Sequence, residues 1–162
     1  MPGLNEIAYL GPTLSASDAL ATIAGQYNQV LRFDSATQQW LQFDPSQPDG
    51  SDFQMLDSGG AYVIRMLGPA TLVEALADQP PIPALPPLSA GYNYVVYGGP
   101  TASLADAFNA QTGQITAVWR LDPLTQTYRA VPNVDPAQSG SLLLQHNQTY
   151  FLYMTGDAGA AP

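Results

Sequence analysis

Apolar and polar residues alternate in short runs along this chain, and the alternation changes period at regular intervals. Asn28–Phe33 (NQVLRF) and Gln39–Phe43 (QWLQF) predict two strands, with Leu31 and Phe33 on one face and pointing into a core. Upstream, Ala16, Leu20 and Ile23 recur at helical spacing and predict a short helix entered from a Gly-Pro turn. A strand at Ile7–Tyr9 leads into that turn, and a long Pro-containing loop precedes a last strand at Tyr62–Met66. The same succession then returns. Tyr94–Tyr97 predicts a strand, Leu104, Ala107 and Phe108 a helix, and Thr116–Leu121 with Thr127–Val131 two more strands, Trp119 and Leu121 sharing a face. Tyr150–Met154 closes the series.

The return is a duplication. Displacing the chain by 88 residues aligns Gly3–Met66 with Gly91–Met154 without an insertion, and 21 of the 64 pairs are identical. The fold class expected is α+β, mainly β: two gapless copies of a β-α-β-β-β unit related by a pseudo-twofold axis. Residues 1–66 form the first repeat, 67–90 a Pro-rich linker, 91–154 the second repeat and 155–162 a tail. A unit this small buries little surface alone, so the copies are expected to share a core containing Leu20, Phe108, Leu31, Trp119, Phe33 and Leu121. Ala70–Ala77 in the linker is a candidate short helix. The tail GDAGAAP resembles the start of another linker, as expected of a piece of a larger protein.

Several shared positions form a pattern: Gly3, Asn5, Ile7 and Tyr9 against Gly91, Asn93, Val95 and Tyr97; Val30, Arg32 and Asp34 against Val118, Arg120 and Asp122; an aromatic (Trp40, Tyr128) two residues after Thr-Gln; and a late Tyr62-Val63-Ile64 or Tyr150-Phe151-Leu152 strand. This pattern resembles tandem repeats of secreted and cell-surface proteins of Chloroflexi-type bacteria. The resemblance covers both copies and implies an extracellular accessory module with no established catalytic residues. The chain departs from it at Leu31, where Trp is usual and Trp119 keeps it, and at Val63 and Phe151, which replace a Trp.

Charge removes some functions. The net charge is -9, Lys is absent, and the four cations are Arg32, Arg65, Arg120 and Arg129, so no basic stripe exists for nucleic acid. With no Cys, neither disulfides nor thiolate metal sites are available. No apolar run reaches the ~18 residues of a membrane span, so no membrane insertion is expected. The segment MPGLNE lacks the charged and apolar regions of a signal peptide. Few charges with many Gly, Pro, Gln, Thr and Ser resemble an exported bacterial β-rich module.

The duplicated polar residues are the natural candidates for chemistry, and each has a structural account. Ser15 and Ser103 stand where a helix N-cap belongs, with Asp18 and Asp106 three residues on, the spacing of a capping box. Asp34 and Asp122 open turns between strands. Gly59 aligns with Asn147, which predicts a left-handed backbone position. A Walker motif needs the Lys this chain lacks. His146 aligns with Ser58 and has no adjacent acid, since Asp57 aligns with Gln145. No catalytic residue and no cofactor is therefore assigned. Asp44, Asp49 and Asp52 are weak calcium candidates; they lack EF-hand spacing and align with Pro132, Ala137 and Gly140. Nothing in the sequence places two carboxylates together for glycoside hydrolysis.

Unshared surface positions are where one copy can specialise. Glu6 becomes Tyr94 and Arg65 becomes Tyr153, and both positions are expected to face solvent as cross-strand neighbours. Arg129, where the first copy has Leu41, is expected beside them. Tyr94, Tyr153 and Arg129 thus make a candidate sugar- or protein-binding patch, the alternative being that the tyrosines pack on the linker or the other copy. The leading expectation is a non-catalytic extracellular interaction module, carbohydrate-binding in character, with a glycan or a cell-surface protein as partner. A structural spacer or assembly module without a small ligand is the alternative, and a carboxylate-based hydrolase a third.

Overall fold

In the computed structural model, which describes residues 1–75, 83–103, 106–107, 114–130 and 143–156, each alternating segment is a strand. β1 (Gly3–Tyr9), β3 (Tyr27–Asp34), β4 (Gln39–Phe43) and β6 (Gly60–Met66) form an antiparallel sheet in the order β1-β6-β3-β4. β7 (Gly91–Tyr97), β9 (Ile115–Asp122), β10 (Thr127–Ala130) and β12 (Gln148–Met154) form a second, in the order β7-β12-β9-β10. The registers correspond. Gly3 opposite Met66 recurs as Gly91 opposite Met154, and Phe33 opposite Trp40 recurs as Leu121 opposite Tyr128, each residue 88 positions further on. Even the irregularity beside Tyr27 and Gln29 recurs, beside Met154.

The molecule is mainly β. The expected β-α-β-β-β unit is too simple, because two-residue strands β2 (Leu14–Ser15) and β5 (Met55–Leu56) pair as a separate ribbon. β8 (Ala102–Ser103) and β11 (Leu143–Leu144) do the same in the second half. The first helix, α1 (Ala16–Ala19), has one turn and continues into a 3₁₀ turn at Ala21–Ile23. Its counterpart is helical at 106–107, while Leu104 and Phe108 lie outside the described residues. Residues 70–75 form no helix, contrary to expectation. Their polar groups are spent on tertiary bonds: Val73 N–H donates to Thr22 Oγ1 at 3.1 Å, and the Glu74 carboxylate accepts from Leu10 N–H at 2.8 Å. The remainder of that expected helix lies outside the described residues.

Both faces of both sheets are used. The outer face of the first sheet packs beneath α1 and its loops, with Tyr9, Leu20, Val30, Phe43, Tyr62 and Ile64 buried. The second sheet's outer face buries Val95, Val118, Tyr150, Leu152 and Met154 with Leu88. A third apolar layer lies between the sheets: Ala61, Val63, Tyr94 and Val96 are buried there, and Leu31, Phe33 and Phe151 pack against them half-buried. Strand alternation therefore places Leu31, Phe33 and Trp119 on the face turned to the opposite sheet, at half burial and not in a closed core. Leu20 and Leu121 are buried as expected.

Two glutamines clasp the halves. Gln38, in the left-handed region at φ 57°, closes the β3–β4 turn by donating from Nε2 to the Ser35 carbonyl at 2.6 Å. The same side chain reaches the other sheet, where Oε1 accepts from Tyr92 N–H at 2.7 Å and Nε2 donates to the Tyr92 carbonyl at 3.0 Å. Gln126, also at φ 57°, repeats the arrangement on the N–H and carbonyl of Leu4. Each clasp completes backbone hydrogen bonds that a sheet edge would otherwise leave to water.

Candidate functional site

The Gly-Pro-Thr turns are structural. The Tyr9 hydroxyl donates to the Pro12 carbonyl at 2.7 Å, and Tyr97 does the same to Pro100 at 2.8 Å. Each ring lies so close to the turn glycine that a Cβ on Gly11 or Gly99 would meet it at 2.6 or 2.5 Å. Only glycine fits. The serines that follow are caps: Ser15 Oγ accepts from Asp18 N–H at 3.1 Å and donates to Asp18 Oδ2 at 2.6 Å, and Ser103 does the same with Asp106. The aspartate thus returns to the serine hydroxyl, where a capping box would send it to the cap's N–H.

The other polar candidates are likewise engaged in the backbone. Asp34 accepts from Ala36 N–H and the Thr37 hydroxyl, and these bonds hold its carboxyl below the usual carboxylate range. Asp122 accepts from Leu124 N–H, which lowers its pKa, and pairs with Arg129 at 2.8 Å. Gly59 and Asn147 both adopt positive φ, 77° and 58°, as their alignment predicts. His146 is exposed, with Nδ1 3.1 Å from the Gly99 carbonyl. Asp44 accepts from Ser46, and Asp52 from Gln42 N–H. Asp49 lies on the exposed 3₁₀ turn at Pro48–Gly50, and among the described residues no three His, Cys, Asp or Glu side chains converge as a metal site.

The expected patch is rearranged. Glu6 stands opposite Val63, and Arg65 opposite Leu4, so the two are not a facing pair. Arg65 is exposed and donates to Gln29 Oε1 at 3.0 Å. Glu6, in contrast, is turned into the seam between the sheets, where it accepts from Leu121 N–H at 3.4 Å. Burial raises its pKa, opposed by the Leu121 amide and the hydroxyls of Tyr94, Thr149 and Tyr128 around it. Its Oε1 and the Tyr128 hydroxyl are both buried in the seam. Tyr94 is 8% exposed, not solvent-facing, and burial pushes its hydroxyl well above the ordinary tyrosine range. Arg129 points away from both tyrosines, because it alternates with Tyr128, whose ring packs on Phe151 across the seam face.

Both tyrosines belong to a larger aromatic cluster, Tyr94 in its buried part and Tyr153 at its rim. Tyr153 stands opposite Tyr92, ring centroids 4.9 Å apart and edge-to-face. Tyr92 packs on Trp119 at 5.9 Å and stacks on Phe151 at 5.2 Å with only 7° between ring planes. Phe151 also touches Phe33, Trp40, Tyr94 and Trp119. At the rim of this cluster the rings open to solvent: Tyr92 is 40% exposed, Trp40 38%, and Trp119 and Tyr153 are half-buried.

The corresponding rim of the first sheet is polar. Where the second sheet has Tyr92, Tyr153, Ala117, Trp119 and Ala130, the first has Leu4, Arg65, Gln29, Leu31 and Gln42. Gln29 donates to Gln42 at 2.8 Å and receives the Arg65 guanidinium, a chain of polar side chains in place of rings. Tyr92 and Trp40 are missed by a search for polar or charged differences, since Leu4→Tyr92 reads as an ordinary apolar exchange. The signal that finds them is register.

No family model, no curated protein and no solved structure is similar to this chain. Among the described residues no helix is long and apolar enough to cross a membrane.

Proposed function

We propose that this chain is a duplicated, non-catalytic interaction module, two copies about a pseudo-twofold axis, which binds glycan through a rim formed by Tyr92, Trp119 and Tyr153 of the second copy with Trp40 of the first beside them. The observation that carries the reading is the contrast between copies: one framework presents a polar rim at one end and exposed rings at the other. Exposed aromatic faces stack on the apolar faces of sugar rings and are expensive to leave in water without a partner. The duplicated serines and aspartates are occupied in caps and turns, which leaves no assembled nucleophile or acid–base pair among the described residues. The net charge of -9 disfavours anionic polymers and favours a neutral polysaccharide. The resemblance to secreted repeats fits an extracellular or surface location for such a module.

Co-sedimentation with a panel of insoluble neutral polysaccharides, alongside a glycan array, tests this reading. Retention on at least one neutral polymer, lost in a Tyr92→Ala/Tyr153→Ala variant that keeps its melting temperature, is the expected result. A fold that is retained by no polymer on either assay belongs to a spacer or assembly module instead.

A further inference from the structure

The exposed rings of the aromatic rim are turned against one another, and the sheet that carries them is the reason. Tyr92, Tyr153 and Trp119 come from three neighbouring strands, β7, β12 and β9. Adjacent strands of a twisted sheet are rotated by roughly 20–25°, so side chains standing on them do not share a plane. The Tyr153 ring is inclined at 67° to that of Tyr92, and the Trp119 ring at 44°. Trp40 reaches the rim from the opposite sheet. It and Tyr92 lie nearest to a common orientation, at 24° and 7° to the plane of Phe151.

Packing holds these inclinations. Tyr92 stacks on Phe151, and Gln38 fixes both polar groups of its main chain. Trp119 packs on Tyr92 and on Phe151, centroids 5.9 and 6.0 Å away, so turning it into the plane of Tyr92 disturbs both contacts. Tyr153 meets Tyr92 edge-to-face, one of the arrangements aromatic pairs prefer. Across from Tyr153 stands Ala117, two residues before Trp119 and on the same face of β9. Its methyl group falls short of the rings on either side and leaves a step between them. The rim is thus a stepped surface of rings at several inclinations, not a flat platform.

Such a surface discriminates between physical forms of one polysaccharide. The sugars of a crystal face lie with their apolar sides in a single plane, and a plane laid on Tyr92 misses the faces of Tyr153 and Trp119. A separated chain turns about its glycosidic bonds, which brings successive sugars face-on to rings of different inclination at the cost of ordering those bonds. More rings are stacked, and the single chain is held more tightly. We propose that the rim takes single chains of a neutral glycan, soluble or amorphous, and not the flat face of a crystalline polymer. This inference rests on the glycan reading above and adds to it the form in which the glycan is recognised.

The test is a set of binding isotherms on microcrystalline and acid-swollen cellulose and on microcrystalline and acid-swollen chitin, with gel retardation by soluble β-glucan, galactomannan and starch. The expected result is a dissociation constant at least tenfold lower on the swollen than on the microcrystalline form of the same polymer, or retardation by a soluble polymer without retention on either crystalline solid. Tyr153→Ala, at unchanged melting temperature, should weaken that binding at least fivefold, because it removes a ring that a flat face does not cover. Equal or tighter binding to a microcrystalline form would overturn this inference and leave the glycan reading standing. So would single-chain binding that Tyr153→Ala leaves unchanged. Binding to none of these polymers, and to nothing on the glycan array, would overturn both.

Discussion

Glu6 lies in the seam between the sheets, within reach of the Leu121 amide. Burial between the sheets raises its pKa above the ordinary 4.5, so the folded state favours the protonated carboxyl. Its contribution to stability is fully present below the unfolded pKa and is lost as pH rises through the raised folded value. Asp34, Asp44 and Asp122 act in the other direction: hydrogen bonds hold them below 3.8, so their contribution is present above that value and lost as pH falls through the lowered ones. Melting temperature is therefore expected to peak in the mildly acid range and to fall toward pH 7. Glu6→Gln should flatten that fall, and an unchanged neutral-side slope in the variant would contradict the placement of Glu6. At the Gly-Pro turn, Gly11→Ala sets a methyl group against a buried ring and should lower stability by ~1–3 kcal/mol in urea unfolding. The serine caps, the turns opened by Asp34 and Asp122, and the left-handed Gly59 and Asn147 were legible from sequence because each is decided within four residues of chain; the left-handed Gln38 and Gln126 were not. The burial of Glu6 and Tyr94 was not, since alternation tells which side of a strand a residue takes and not what covers that side.

At the scale of elements, the long alternating strands were legible and the ribbons were not. Two residues, as in β2 or β5, are too few to show a period of two, and their pairing follows from the loops that bring them together. Pattern also assigned Leu31, Phe33, Trp119 and Leu121 to one face correctly while leaving open which of two apolar faces that was. Here both faces of each sheet are covered, one by its own helix and loops and one by the other sheet. Truncating the half-buried Trp119 to Ala should consequently cost ~1–2 kcal/mol in chemical denaturation, below the ~3–5 kcal/mol of a fully buried aromatic. The Thr-Gln pair that ends each hairpin loop was visible as a repeat, but its reach across to the opposite sheet was not. Gln38→Ala removes the partner of both polar backbone groups of Tyr92, and should lower stability by ~1–3 kcal/mol by the same measurement. A change within error would mean that water replaces the clasp at no cost.

At the scale of the molecule, two similar sheets are held face to face by a cluster of rings centred on Phe151, and the part of that cluster not needed for docking is presented to solvent. Framework and proposed binding surface are thus one continuous aromatic array, and the first sheet, polar at the matching rim, supplies the contrast. The chain has only two tryptophans, Trp40 and Trp119, and both belong to this array. Intrinsic tryptophan fluorescence is therefore a direct reporter of the proposed surface. Titration with soluble oligomers of a retained neutral polysaccharide should give a saturable change in intensity or emission maximum, at least tenfold right-shifted in the Tyr92→Ala/Tyr153→Ala variant. Saturable binding by calorimetry that leaves the tryptophan emission untouched, or that survives loss of both tyrosines, would place the ligand elsewhere and contradict the account.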